Sequence, residues 1–219
     1  NGLGADVVTC GLVTSTNGPV TLQANGGADS DVILNNNVTS GGVLNLISGS
    51  GAGSDVTLAS GVTAQGTSTN VTTPDLNINS GSTLVATTGD IAVQSNLAGG
   101  ALTVDFLGNG NITASNGDVL FNNTTPGQIT VSGGPANGVI TANSASGEVV
   151  FNGGSGLNAV DVNVNQIIDF CTVASGTTVA VTTANGDINI EVDASDAVTI
   201  TANGLGADVV TCGLVTSTN

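Results

Sequence analysis

Three cysteines and sixteen carboxylates carry most of the reactive chemistry this 219-residue sequence can offer, because it contains no lysine, arginine, histidine, tyrosine or methionine. Carboxylates without a protein countercharge are where a hard, oxygen-seeking cation would sit. The thiols of Cys10, Cys171 and Cys212 could cross-link neighbouring molecules or stay free. Two close carboxylate pairs, Asp29 with Asp31 and Asp193 with Asp196, could in principle flank a glycosidic bond. Both pairs fall in expected turns, no aromatic platform for a sugar accompanies them, and no nucleophile has a basic partner. The expectation is therefore a protein that is not an enzyme.

The elements that position these groups are short runs of alternating apolar and polar residues bounded by Gly, Asn, Ser or Asp, which read as strands and turns. Gly or Asn interrupts every candidate helix before two turns could form. In the second half, runs begin at Val119, Ile129, Val139, Val149, Val160, Ile168, Val179, Ile188, Val198 and Val209, close to ten residues apart. Every second run therefore recurs at a step of about twenty. The expected fold is all-β, a parallel β-solenoid with about twenty residues and at least two strands per coil. Inward positions such as Val119 and Phe121, Val149 and Phe151, Ile168 and Phe170, and Ile188 and Ile190 should stack from coil to coil. Cys171, Glu191 and Cys212 each lie three residues after the start of a run, so they should share one column. Cys171 and Cys212 would then stand two rungs, about 9.6 Å, apart, too far for a disulfide. By alternation Cys171 faces outward with Glu191, where it could cross-link to a neighbouring filament; a bulge would instead turn it inward as a small apolar filler.

Residues 1–17, NGLGADVVTCGLVTSTN, recur letter for letter as residues 203–219, a period of 202 residues. Residues 1–202 read as one solenoid repeat of about ten coils, and residues 203–219 as the start of the next, with no Pro-rich or charge-rich linker between them. Cys10 and Cys212 are the same position of successive repeats. Val209 is expected to continue the strand ladder, so the boundary between repeats should fall inside the solenoid.

Four stretches approach the nonapeptide GGxGxDxUx and so resemble calcium-binding β-rolls: NGLGADVVT (1–9), GGADSDVIL (26–34), SGAGSDVTL (50–58) and GGSGLNAVD (153–161). That resemblance implies calcium ligands at Asp6, Asp31 and Asp55, with Asn158 in the fourth stretch. The nonapeptides are solitary, whereas a β-roll shares each ion between tandem turns; the other reading is that Gly and Asp simply terminate turns. TTGDIAVQS (87–95), ASNGDVLFNN (114–123) and TANGDINIEV (183–192) resemble the Gly-Asp-Ile-x-Val pieces of filamentous-haemagglutinin-type adhesins. This texture covers most of the chain and implies a right-handed parallel β-helix exported to the bacterial surface. The chain departs from that pattern in its lack of basic residues and its letter-perfect long repeat.

The formal net charge of −16 with no cationic side chain leaves nothing to neutralise a phosphate, which argues against nucleic-acid partners and attraction to anionic membranes. No stretch has the length of a transmembrane helix. A hydrophobic share of 39% argues for a folded chain, with the few aromatics pointing to a thin aliphatic core. Sequons at Asn37, Asn70, Asn111, Asn122 and Asn123 would permit glycosylation of an exported protein. The expected function is structural: a segment of an extracellular, cell-surface filament for attachment, cell contact or matrix, whose partner is itself, end to end and in lateral bundles. It requires no cofactor. The alternative is the stalk or binding face of a secreted β-helix adhesin, stiffened by calcium.

Overall fold

The computed structural model describes residues 4–26, 29–97, 100–123, 127–133, 137–144, 147–153, 159–164, 166–168, 170–175, 179–183, 188–194, 197–202 and 210–217. Twenty-five strands and no helix are present among them. The chain winds over three faces in succession. In the first turn β1 (Val7–Cys10), β2 (Val13–Ser15) and β3 (Val20–Gln23) each open a separate sheet. The following turns add parallel strands to these sheets, and the first, second and third hold nine, seven and nine described strands. Seven turns therefore carry a strand on all three faces. Two further turns contribute described strands to the first and third sheets only, among them β22 (Val179–Thr183) and β24 (Val198–Ala202) in the first.

The register measures the turn. Val8, Val32, Val56, Leu76, Val104, Val131, Val162, Val181 and Ile200 form one column of the first sheet. The column climbs eight steps between Val8 and Ile200, so the mean turn is roughly 24 residues long. The parallel solenoid expected from the sequence is present, but with three strands per turn for most of its length. The twenty-residue coil and the ten coils per repeat are corrected accordingly: turns of this length divide the long repeat into about 8.4. Strands do start at Val119, Ile129, Val139, Val160, Val179, Ile188 and Val198 as expected, yet Val119, Val139 and Val160 lie on three different sheets. Periodicity finds strands without saying which of them stack.

Alternation does the packing. In β4 (Asp31–Leu34), β7 (Asp55–Leu58) and β10 (Asp75–Asn79) the even positions Val32, Leu34, Val56, Leu58, Leu76 and Ile78 are fully buried while their neighbours are half-exposed. Each such aliphatic contributes about 1.5–3 kcal/mol of burial free energy. On the third sheet Val119 stacks on Val149 and Phe121 on Phe151, as expected, the two rings lying 4.8 Å apart and 5° from parallel. Ile190 is also buried; the side chains of Ile168, Phe170 and Ile188 lie outside the described set. Phe106 stacks above Ile78, and its ring fills the space beside Gly138, where a Cβ would come within 2.6 Å of it. That glycine also holds φ at +80°, a conformation that side-chain-bearing residues rarely adopt.

Candidate functional site

The acidic edge of the first sheet comes nearest to a chemical site. β7 and β10 pair so that Asp55 lies opposite Asp75, and Asp31 stands one rung below Asp55. A parallel sheet repeats at about 4.8 Å, so three carboxylates rise in a single outward column. Asp31 accepts a hydrogen bond from the backbone N–H of Asp55 at 3.1 Å, and Asp55 accepts one from the Thr57 hydroxyl at 2.8 Å. Partial burial pushes the Asp55 carboxyl up; the Thr57 hydrogen bond opposes this, and the neighbouring charges of Asp31 and Asp75 add to it. Burial likewise raises Asp75, opposed by Thr103 and reinforced by Asp105. Like charges at this spacing favour the protonated form.

Of the three aspartates matched to calcium ligation, two share this column. Asp6 belongs one position earlier, its N–H bonded to the buried Ser30 hydroxyl at 3.0 Å, while the Ser30 N–H bonds to the Ser54 hydroxyl at 2.9 Å. Asn158 lies outside the described residues. Asp75 escaped the sequence reading because no Gly-rich nonapeptide precedes it; its signal was its place at the head of DLNIN, matching Asp31 in DVIL and Asp55 in DVTL. Among the described residues no group of three or more carboxylates or thiols converges to hold a metal ion. The column runs along the solenoid axis, whereas calcium takes six to eight oxygens about one centre.

A second acidic series follows the Gly-Asp texture. Asp90, Asp118 and Glu148 occupy successive rungs at the entry to the third sheet, and each hands a carboxylate upward. Asp90 accepts the Asp118 N–H at 2.9 Å, Asp118 accepts the Glu148 N–H at 3.0 Å, and Glu148 accepts the Thr172 hydroxyl at 3.3 Å. The preceding glycine lets the rungs close: a Cβ on Gly117 would collide with the Asp90 carboxylate and lie 2.5 Å from the Gly89 carbonyl carbon. The motif thus pins one rung to the next. Its third instance, around Asp187, lies outside the described residues.

The cysteines stack as expected in one respect and not in another. Cys171 pairs with Ile190 and Ile190 with Cys212, so the two thiols are two rungs apart in one column and free. The residue between them is Ile190, not Glu191, and Cys171 points inward with no exposed surface. The outward reading of Cys171 is corrected. β20 (Gln166–Ile168) ends on the second sheet and β21 (Phe170–Ser175) begins on the third, so the run is two strands and its alternation restarts. Burial pushes the Cys171 thiol far above its ordinary range and raises that of Cys10, which is 8% exposed. Cys212 is exposed.

The outward face of the third sheet is rich in neutral amides. Asn70 donates to Asn45 at 3.0 Å, Asn45 to Thr21 at 3.2 Å, and Gln94 to Thr72 at 3.3 Å, each one rung apart. Beside this ladder a notch of about 390 Å³ opens over Ala92 and Val71, rimmed by Asn45, Asn70, Thr72 and Gln94. Of the sequon asparagines, Asn37 is exposed, its side-chain oxygen accepting the Thr63 N–H at 2.8 Å, and Asn123 is buried. In the carboxylate pairs considered for glycoside hydrolysis, Asp29 is an exposed turn residue at φ 47°, and Asp196 and the Asp193 side chain lie outside the described set.

Three stacked parallel sheets and their ladders of rung-to-rung hydrogen bonds define the chain as a parallel β-solenoid. No protein-family model, no curated protein and no solved structure matches it.

Proposed function

We propose that this chain is a segment of an extracellular filament, a non-catalytic β-solenoid of the filamentous-haemagglutinin kind, built from tandem 202-residue repeats. The observation that carries the reading is the join. Val210–Ser217, inside the second copy of the repeated segment, pairs in parallel with Ile188–Ala194 of the first repeat. A ladder that crosses a repeat boundary makes a fibre; repeats with separate cores would make beads. The uncompensated charge of −16 suits a soluble exposed polymer, since like charge resists collapse and non-specific association. The absence of lysine and arginine also leaves no tryptic cleavage site in such a polymer.

Antibodies raised against this chain test the reading on the source cells. Surface-labelled filaments in electron micrographs, with a ladder or very high mass on denaturing, reducing electrophoresis, are expected. Label confined to the cell interior, or a discrete band near 21.0 kDa, contradicts it.

A further inference from the structure

The amide-rich third-sheet face fits a second copy of itself. Charge excludes the first sheet, whose outward side is lined by Asp31, Asp55, Asp75, Asp105 and Asp161, and of the two sheets it leaves, the third carries the notch over Ala92. Within the third-sheet strands from β3 through β15 (Val119–Asn122) no outward residue is charged. Two chains of −16 repel, so close contact is cheapest where neither strand presents a carboxylate.

Shape selects the register. Ala92, on β12 (Ile91–Gln94), floors the notch, and half-buried Leu120 stands directly above it on the next rung. A hole and a knob on adjacent rungs are self-complementary under a two-fold axis that runs along the strands midway between β12 and β15. Under that axis Leu120 of each copy enters the notch over Ala92 of the other, which is the reciprocal pattern of an isologous interface. The same axis places Gln94 opposite Asn122 of the second copy, because Gln94 and Asn122 are also rung neighbours. The buried Asn122 side-chain oxygen has no partner among the described residues. Val150 then faces Asn70, Thr172 faces Asn45 and Glu191 faces Thr21, so no like charges meet within the strands. Asp90 and Asp118, just ahead of the strands, do come together across the rim. Each is held by an N–H of the rung above, and salt screens what repulsion is left at such an exposed edge. Eight overlapping rungs of about 4.8 Å and four residues of about 3.3 Å bury roughly 500 Å² per copy. Both copies together bury roughly 1000 Å², the lower bound for a specific interface, and the area grows with every added repeat.

We infer that two solenoids pair laterally and antiparallel through this face, Leu120 seated over Ala92. The inference names the lateral partner of the proposed fibre, and its test separates the two claims, because pairing changes width and end-to-end growth changes length. Solution scattering of the whole chain from micromolar to millimolar concentration, at low and at physiological salt, reads both. A doubled cross-section, favoured by the added salt, is expected for the natural sequence and for Thr113→Asp on the second sheet. Leu120→Asp and Ala92→Leu are expected to stay single, with at least tenfold weaker association, and to melt cooperatively with the same β circular dichroism. If Leu120→Asp does not fold, Ala92→Leu alone decides. A single cross-section at every concentration, growth in length alone, pairing that survives Ala92→Leu, or cellohexaose occupying the notch of an unpaired chain would each overturn the proposal.

Discussion

Cys10 and Cys212 hold the same position of the repeated segment, yet Cys10 pairs with Leu34 in the first sheet, whereas Cys212 pairs with Ile190 in the third. The difference follows from the length of the turn. With a mean turn of roughly 24 residues, the long repeat does not hold a whole number of turns, so the second copy comes round on another face. One sequence takes two shapes as a result. Near the start it is β1 and β2, on different sheets and separated by Gly11 and Leu12. In the second copy Val210–Ser217 is one strand, with Gly213 and Leu214 together opposite Glu191. Glycine tolerates both the corner and the bulge.

Cysteine labelling should report the burial of Cys10 and Cys171. In native protein at mildly alkaline pH, Cys10 is expected to react slowly with a thiol reagent and Cys171 only after unfolding, since buried thiols are protonated and shielded. Peptide mapping of the labelled chain checks the order. Rapid native labelling of Cys171 would return it to the outward face.

The stacked rings of Phe121 and Phe151 should be coupled. Either residue changed to alanine is expected to cost about 3–5 kcal/mol. The double variant should lose about 0.5–1.5 kcal/mol less than the sum, the share belonging to the ring pair. Chemical denaturation of the four proteins measures it; strict additivity would place the rings out of contact.

Acidity should stabilise the fold through Asp55 and Asp75. Both carboxyls are raised above the ordinary aspartate value, so the folded state holds more protons than the unfolded state around their titration. Their contribution is complete below the unfolded pKa and is lost as pH rises through the folded pKa. The melting temperature should therefore fall from mildly acidic to neutral pH. Asp55→Asn and Asp75→Asn should flatten that profile and raise the neutral-pH value. Unchanged profiles in both variants would show that neither burial nor neighbouring charge raises these two carboxyls.

Gly117→Ala should be among the most damaging single-methyl additions, because its Cβ meets the Gly89 backbone, which cannot swing aside. A loss of about 1–3 kcal/mol is expected for such overpacking. Thermal melting against Gly61→Ala, whose Cβ meets nothing within 4 Å but whose φ is +74°, separates the clash from backbone strain. Equal losses would remove the close approach of rungs as the reason for the Gly-Asp motif.

Much of this fold was legible because apolar and polar residues alternate strand after strand, but that Val32, Val56, Leu76 and Val104 form one column follows only from the pairing of their strands. What alternation lacks is the angle of the corner. Ile168 and Cys171 read as one run, yet their strands belong to different sheets, and of the two orientations open to the thiol the inward one holds through that change of sheet, not through a bulge. The acidic column was half visible. Asp31 and Asp55 announced themselves through glycine-rich turns, whereas Asp75 joins them only through the pairing of β7 with β10, which no local pattern specifies. The amide ladder of Asn45 and Asn70 is likewise a product of register: 25 residues separate the two.

The central claim is that the solenoid runs unbroken through the repeat boundary, and a chain of two consecutive 202-residue repeats tests it most directly. Solution scattering and electron microscopy of its unpaired Leu120→Asp form should give a single rod of about 80 Å at unchanged width, from roughly 17 turns of about 4.8 Å each. Two bodies of about 40 Å joined at a flexible hinge, or a bend at the join that varies from particle to particle, would contradict it.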